Sequence, residues 1–386
     1  LKFAQLKYTH FTSDIYNVEA QVSRFAVSGK PTEYHVIFKL TRKNMPFAEQ
    51  LSHLQGALKE FNKTRIEHAK PVFVRYFLSD AVNQIGILQQ ALNATPCAVS
   101  IVEQAPLSGA KVVLWAVFQS DVEVESSADA FIVKSNGYSH IRNTYLHSPV
   151  GASEEQTRKI LSNYSELLRK HNVTLADNCI RTWFFVQNID SNYGGVVKAR
   201  REFFFENGLT KDTHFIASTG IGGRHADANC LVQLDAYALK GHKPEQVQYL
   251  YAKDNLNLTY EYGVTFERGT AVHFGDRSHV YISGTASINN KGEIVCPGNV
   301  GMQADRMLEN VSALLAEGGA SLSDLASVVI YLRDPADYST IKAWASYRMP
   351  DVPKTIVHAP VCRQGWLVEM ECEAIVAEKN PQFADF

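Results

Sequence analysis

Three glutamates stand at every second position near the end of the chain: Glu369, Glu371 and Glu373. Apolar residues fill the positions between them, which predicts a strand with the three carboxylates on one face. A solvated face is one interpretation of this pattern. The other is chemical, because like charges held side by side raise the pKa of at least one carboxyl group. A carboxyl group with a raised pKa can donate a proton near neutral pH, so this strand offers a candidate general acid.

Two earlier segments, 112–118 and 231–237, have the same strand-like pattern and align with 367–373. At the position of Glu369 they carry Leu114 and Gln233. Only the last of the three segments therefore has a carboxyl group at that position, and any acid chemistry is expected there.

The elements around these strands also repeat. Apolar residues at helical spacing recur in 47–61, 155–168 and 303–315, and a strand follows each of these segments. Second helices are predicted at 83–92, 194–206 and 336–348. The pattern predicts three units of the order β-β-α-β-α-β-β, which is an α+β fold. The expected unit boundaries are 1–125, 126–248 and 249–386, and since no Pro/Gly/Ser-rich linker separates them, we expect the units to pack tightly.

Composition excludes several classes of protein. The 386 residues include 38 Lys and Arg against 40 Asp and Glu, a formal net charge of −2. A generally basic surface for nucleic acid is therefore absent, and we expect no nucleic-acid partner. No apolar run approaches the roughly 20 residues of a membrane-spanning helix, so we expect no membrane association.

Metal and nucleotide motifs are also missing from the sequence. The six cysteines are dispersed without a CxxC pair, no Cys/His pair has zinc-ligand spacing, and the 13 histidines form no HExxH. There is no Walker loop and no GxGxxG after a strand. We expect no metal and no cofactor, and the isolated thiols favour a cytoplasmic protein.

The third unit resembles the RidA/YjgF family over nearly its whole length. The residues that carry this resemblance are Ser283-Gly284-Thr285, Pro297-Gly298, Gln303, Glu309-Asn310, Ala320-Ser321-Leu322, Val329-Ile330-Tyr331-Leu332 and Val368-Glu369-Met370-Glu371. That family forms homotrimers with sites between subunits. The resemblance implies that three units in one chain form an intrachain pseudo-trimer, either monomeric or assembled into a higher homo-oligomer.

Residues 178–375 resemble more closely the chorismatases, FkbO-like enzymes built on the same fold. The matching pieces are Arg181-Thr182-Trp183, Ala217-Ser218-Thr219-Gly220-Ile221-Gly222, Pro244-Glu245-Gln246-Val247, Tyr262-Gly263, Phe266-Glu267-Arg268, Ser283-Gly284-Thr285-Ala286-Ser287-Ile288 and Val361-Cys362-Arg363. Such enzymes remove the enolpyruvyl group of chorismate as pyruvate, without metal or cofactor. The segment 248–268 departs from the family pattern and is expected to help line the pocket.

The chorismatase resemblance implies roles for particular residues. Glu369 is the implied catalytic acid, and Arg363 and Arg268 are implied to hold the carboxylates of a small anionic substrate. The other substrate-binding residues that it implies are Tyr262, Gly284, Thr285, Ala286, Cys362, Trp183 and Gly220. A purely structural role stays open for each of these residues. Arginines also occur on protein surfaces, aromatic residues also pack in cores, and glycines also occur in turns.

Two other functions stay open. An imine/enamine deaminase of the RidA type needs an arginine near the start of the penultimate strand, where this chain has Lys354, which keeps the charge but loses the planar fork. A non-catalytic ligand-binding or scaffold protein is the second, since the first unit has lost the polar residues of its closing strand. Some relatives are labelled ribonucleases, but this sequence has no basic stripe and no histidine pair that would support that function.

Overall fold

The computed structural model describes residues 6–66, 68–92, 97–127 and 130–386. The described chain forms three mixed six-stranded sheets, each with helices, so the α+β class is confirmed. The first unit contains β1 (Lys7–Ser13), β2 (Val18–Phe25), β3 (Glu33–Leu40), α1 (Phe47–Arg65), β4 (Ala69–Leu78), α2 (Ala81–Leu92), β5 (Ala98–Glu103) and β6 (Val112–Ser120).

The other two units repeat this arrangement. The second contains β7 (Glu123–Ser126), β8 (Phe131–Ser135), β9 (Tyr138–His147), α3 (Ser153–Lys170), the short α4 (Leu175–Asn178), β10 (Cys179–Val186), α5 (Ile189–Glu206), β11 (Ala217–Gly222) and β12 (Val232–Lys240). The third contains β13 (Val247–Leu250), β14 (Gly269–His273), β15 (Arg277–Ala286), α6 (Val300–Glu317), β16 (Leu325–Leu332), α7 (Tyr338–Arg348), β17 (Lys354–His358) and β18 (Val368–Ala377).

All three sheets have the same strand order. It is β1-β2-β3-β6-β4-β5 in the first, with the corresponding strands in the same order in the other two. Each unit has one strand more than the sequence predicted, because β1, β7 and β13 pair at the edge of their sheets. None of the four residues of β7 is buried and only one of β13 is, so neither strand shows the alternation that identifies a half-buried strand.

One buried glutamine joins the first long helix of each unit to its closing strand. Its side-chain oxygen accepts the backbone N–H just before that strand, and its amide group donates to loop carbonyl oxygens. The three glutamine and N–H pairs are Gln50 with Lys111, Gln156 with Leu231, and Gln303 with Leu367. A repeated buried amide with repeated partners explains why Gln156 and Gln303 stand at the same offset in the sequence repeat.

The units contact one another through backbone hydrogen bonds that follow the parallel edge strands. At the three contacts between units these bonds include Glu103 N–H to the Arg224 carbonyl (2.9 Å), Gly222 N–H to the Pro360 carbonyl (2.9 Å), and His358 N–H to the Ala105 carbonyl (2.8 Å). The chain is therefore an intrachain pseudo-trimer with three clefts between neighbouring units. Among the helices of the described ranges, none is long and apolar enough to cross a membrane.

Candidate active site

The strand that carries the three glutamates is the central β18 of the third sheet, and its two faces differ. Val368, Met370 and Cys372 are buried in the hydrophobic core, and α6 lies against the strand. The glutamates lie on the opposite face, where Glu371 reaches residues of the second unit. The carboxylates are therefore at the contact between units, where burial makes their charge costly, and not on a solvated face.

A β-bulge makes room for the first of these carboxylates. The register of β15 against β18 shifts between Ile282 and Thr285, beyond which Ala286 pairs with Glu369. Gly284 lies in this bulge, and a Cβ atom built there would be 2.1 Å from Oε1 of Glu369. The backbone N–H of Gly284 donates to Oγ1 of Thr219 at 2.9 Å. Gly284 thus serves the site by leaving space, since its N–H is already bonded to protein.

Replacing Gly284 with alanine is expected to displace the Glu369 carboxyl group and to destabilise the fold by about 1–3 kcal/mol. The matched control is Gly86→Ala in α2, where an added Cβ meets nothing within 4 Å and should be neutral or slightly stabilising. Urea denaturation of both variants measures this difference. Equal stabilities for Gly284→Ala and the parent would show that the carboxyl group is not confined.

Glu369 has the properties of a protonated carboxyl group. Its side chain is 3 % exposed. Burial, and next the charge of Glu371, raise the pKa of Glu369 to about 8, although Arg268 and Arg181 act in the opposite direction. At neutral pH it therefore carries a proton that it can donate.

A narrow cleft between the second and third units opens onto Glu369. The third unit supplies Tyr262, Val264, Phe266, Arg268, Gly284, Ala286, Ile288, Cys362, Arg363, Trp366 and Glu369, and the second unit supplies Tyr193, Arg200, Ser218 and Gly220. The cavity volume is about 20 Å³. A buried acid, three arginines and aromatic rings line one concave site, which is the composition of a binding site for a small organic anion.

Arg200 gives the strongest indication of an anion site, and the sequence did not predict it. It lies on α5, is 1 % exposed, and its Nε and Nη2 have no hydrogen-bond partner within the described structure. Its Nη1 makes a long 3.5 Å contact with Oγ of Ser218. A signal was present, because Arg200 interrupts the buried stripe that Val196 and Phe203 define on this helix.

The two predicted arginines have different settings. Arg268 is 3 % exposed, and its Nη2 donates to the backbone and side-chain oxygens of Asn257, both at 3.0 Å. Arg363 is exposed, lies over the Tyr262 ring, and makes a 3.4 Å contact with the Tyr262 carbonyl oxygen. Arg268 is therefore fixed inside the cleft, whereas Arg363 lies at its mouth.

Other predicted residues separate into two groups. Tyr262, Ala286, Cys362 and Gly220 line the cleft. Burial raises the pKa of the Cys362 thiol to about 12, which leaves it neutral and unsuited to nucleophilic attack. A Cβ at Gly220 would lie 2.8 Å from the ring of Tyr193, a lining residue that sequence analysis also missed.

The remaining two, Thr285 and Trp183, are not among the lining residues. The hydroxyl of Thr285 donates to the Ser283 carbonyl within the bulge, at 2.9 Å. The indole of Trp183 donates to Oε1 of Glu371 at 3.0 Å, so this ring belongs to a second polar cluster beside the cleft.

That second cluster joins all three units, and we call it the axial cluster. Glu371, 4 % exposed, accepts a hydrogen bond from Arg181 at 2.9 Å and lies 3.7 Å from Arg75. Asp235 of the second unit pairs with Arg75 at 3.0 Å. Two arginines thus face two carboxylates, an arrangement in which buried charges are paired.

The second unit also holds a group of potential metal ligands, none of which lines the candidate cleft. His147, His225 and Cys230 each place one ligand atom within 4.8 Å of the others. The sequence search for zinc-ligand spacing missed this group, because His147 is on β9 and the other two are in the later β11–β12 loop. Nδ1 of His225 accepts the backbone N–H of Asp227 at 2.9 Å, which fixes the ring within the loop.

Lys354, the residue at the predicted deaminase arginine position, does not reach into the candidate cleft. It starts β17 and its Nζ donates to the carbonyl oxygens of Met349 (2.6 Å), Pro350 (3.0 Å) and Val352 (3.3 Å). All three N–H bonds of the ammonium group are therefore used.

The fold and the cleft define a class of protein: an intrachain trimer of α+β units with a candidate site between two of them. The family described as Endoribonuclease L-PSP matches residues 269–376. A RutC family protein of Pyrococcus abyssi is 34% identical over 97 residues, 25% of this chain and 76% of that protein. The chain belongs to this RutC family, which is the RidA/YjgF family that the sequence resembles.

Two further similarities are more limited. The 3-aminoacrylate deaminase RutC of Acinetobacter baylyi is 35% identical over 69 residues, and the match spans 18% of this chain and 55% of that enzyme. A crystal structure of a chorismatase superposes with a TM-score of 0.62 and 18% identity, covering 79% of this chain and 93% of that one. At that identity the superposition shows a shared fold.

Proposed function

We propose that the chain is a chorismatase-like enzyme that releases the enolpyruvyl group of chorismate, or of a related enol ether, as pyruvate. One observation carries the proposal: a carboxyl group that is protonated at neutral pH, Glu369, lies in a cleft with Arg200, Arg268 and Arg363. These cations face no ionised carboxylate among the lining residues. A dianionic substrate with an acid-labile enol ether supplies the missing negative charges and accepts the proton.

The reaction needs one proton and one water molecule. Glu369 donates its proton to the terminal methylene carbon of the enol ether, which leaves a positive charge shared by the ether carbon and its oxygen. Water then adds to that carbon and its released proton returns to the Glu369 carboxylate. The hemiketal hydroxyl proton passes to the ether oxygen as the C–O bond breaks, which gives pyruvate and a ring alcohol. Atoms balance as hydrolysis.

The arginines have distinct tasks in this reaction. Arg200 and Arg268 are buried and position the substrate carboxylates, since guanidinium groups bind carboxylates in pairs of hydrogen bonds. Arg363 is exposed at the mouth. Because the cavity is only about 20 Å³, a ring-sized substrate enters when the Arg363 side chain moves outward.

The primary test mixes the purified protein with chorismate and follows pyruvate with a coupled lactate dehydrogenase assay. We expect pyruvate from the parent protein and little from Glu369→Gln. Absorbance of the products then distinguishes a dihydrodiol from a hydroxybenzoate. A well-folded parent protein that releases no pyruvate would overturn the proposal.

Replacing Arg200 with methionine is expected to raise KM for the substrate about 10- to 100-fold, because a charge-assisted contact with a carboxylate is lost. Stability should stay equal or increase, since a buried guanidinium without a carboxylate partner is removed. Arg201→Met is the control, as Arg201 is the exposed neighbour on the same helix. Steady-state kinetics and thermal unfolding measure both properties, and a loss of stability with unchanged KM would assign Arg200 a structural role.

A second candidate, hydrolysis of imines or enamines, has the similarity to the 3-aminoacrylate deaminase in its favour. Protonation of an enamine carbon by Glu369 would use the same acid. Lys354, bound to three carbonyl oxygens, leaves this reaction without the carboxylate anchor that the family resemblance implies at that position. Ammonia release from amino-acid-derived imines, without pyruvate release from chorismate, would favour this alternative.

A further inference from the structure

The third cleft of the pseudo-trimer, between the first and third units, has a different chemistry from the candidate active site. It lies between β1–β3 of the first unit and α7–β17 of the third, with a cavity volume of about 330 Å³. Four lysines line it: Lys39, Lys43, Lys342 and Lys354. They come from both units, so the folding of the chain concentrates this charge in one place.

No acid like Glu369 occupies this cleft. The repeated glutamine bonds the N–H of Lys111 in the first unit and of Leu367 in the third. Val113, and not Leu114 as the sequence alignment predicted, therefore stands at the position of Glu369 and lines the cleft. Val113 is buried and apolar. The cleft therefore has cations but no carboxyl group at this position, which suits the binding of an anion.

The lysines are not neutralised by protein carboxylates. In the part of the chain that the structure describes, no carboxylate oxygen lies within 4.0 Å of any of the four ammonium groups. Glu19 is the acidic group that lines the cleft, and at its rim His10 lies 3.6 Å from Asp351. Burial is the main cause that lowers the pKa of Lys39 to about 8; the charge of Lys354 adds to this effect, Glu19 opposes it, and Lys342 and Lys43 contribute less.

The four ammonium groups differ in what they can offer to a ligand. Lys354 uses its three N–H bonds on carbonyl oxygens and contributes its charge alone. Lys39 donates to Oε1 of Gln21 at 3.0 Å and Lys43 to the Ser108 carbonyl at 2.7 Å, which leaves each of them further N–H bonds. Lys342 is exposed on α7 at the edge of the cleft.

We propose that this cleft, which we call the lysine cleft, binds a small anion with at least two negative charges. Lys39, Lys43 and Lys342 would contact the anion, and the positive charge of Lys354 would attract it without a hydrogen bond. Two chemical sources fit: a phosphorylated compound or a polycarboxylate. A single negative charge would neutralise too little of the cluster to bind well.

Isothermal titration calorimetry at constant low ionic strength tests the proposal with three probes: inorganic pyrophosphate, citrate and acetate. In the Arg200→Met variant, whose other cleft is impaired, we expect one site, and at least tenfold tighter binding of pyrophosphate or citrate than of acetate. Preference for pyrophosphate indicates a phosphorylated ligand, preference for citrate a polycarboxylate, and equal binding of the two indicates recognition by charge. Absence of binding by both multivalent anions, or acetate binding as tightly, overturns the proposal.

Variants locate the site. Lys342→Met changes an exposed residue and should fold normally, and Lys39→Met changes the centre of the cluster; each is expected to weaken binding at least tenfold. Lys63→Met on the exposed side of α1 is the control, with less than a twofold effect expected. Arg200→Met should retain binding, because Arg200 lines the other cleft. Equal weakening by Lys63→Met would show non-specific attraction and contradict the assignment.

Discussion

Replacing Glu369 with glutamine is expected to lower pyruvate release about 10²- to 10⁴-fold, the usual contribution of a positioned general acid, and to make the protein more stable at pH 8. Glutamine keeps the shape of the side chain but cannot donate a proton to carbon. It also carries no charge, so the cost of ionising a buried group disappears.

The sign of the stability effect follows from proton binding. The pKa of Glu369 is raised from 4.5 to about 8 in the folded chain, so between these values the native state holds a proton that the unfolded state has lost. Stability of the parent protein therefore falls as pH rises from about 4.5 to 8. The glutamine variant does not lose this stability as pH rises. Its free energy of unfolding should therefore exceed that of the parent protein by roughly 2–5 kcal/mol at pH 8 and above.

Denaturant unfolding at several pH values measures this difference, and the rate of pyruvate release as a function of pH measures the acid itself. The parent rate should fall as pH rises above about 8, where Glu369 loses its proton. Glu166→Gln is the control, since Glu166 is exposed on α3. Rates for Glu369→Gln within tenfold of the parent, or an unchanged stability difference across the pH range, would remove Glu369 from the mechanism.

Replacing Glu371 with glutamine is expected to destabilise the protein by about 2–4 kcal/mol, because the buried Arg181 then loses its carboxylate partner and Arg75 keeps only Asp235. It is also expected to move the pH–rate profile to lower pH. The negative charge of Glu371 helps to raise the pKa of Glu369, so its removal lowers that pKa. Glu371 would thus act as a positioning residue through Glu369.

The control for this variant is Glu373→Gln, two positions further along the same strand. Glu373 is 13 % exposed in its side chain and lies 3.8 Å from His35, so a smaller loss of stability and an unmoved profile are expected. Chemical denaturation and pH–rate curves for the two variants give the comparison. A Glu371→Gln profile at the parent position or at higher pH would show that this charge does not tune the acid.

The sequence predicted the α+β class, the repeated order of elements and the strand that carries Glu369, because these are periodic properties of single segments. It missed the edge strands β1, β7 and β13, and the last two are short strands without alternation. It also missed Arg200 and Tyr193, since they reach the cleft from another unit and only packing between units brings them there. A buried charge on an apolar helix stripe was the available clue.

Trp183 is a residue that the sequence resemblance assigned to substrate binding but that does not line the cleft. Its place in a sequence piece shared with chorismatases suggested a pocket wall, but the structure has its indole bonded to Glu371 in the axial cluster. Two residues can belong to one piece of sequence while the pleat of a strand directs them to different surroundings. A resemblance in sequence therefore indicated the neighbourhood of the site but not the contacts of each side chain.

Joining three units in one chain changes what a substitution can do. In a homotrimer every mutation occurs three times, so all clefts between subunits must stay alike. Here each cleft can change independently, and the three equivalent positions of β6, β12 and β18 are Val113, Gln233 and Glu369. Two of the units can therefore keep the fold without the carboxyl group, while the third unit carries it in a single copy.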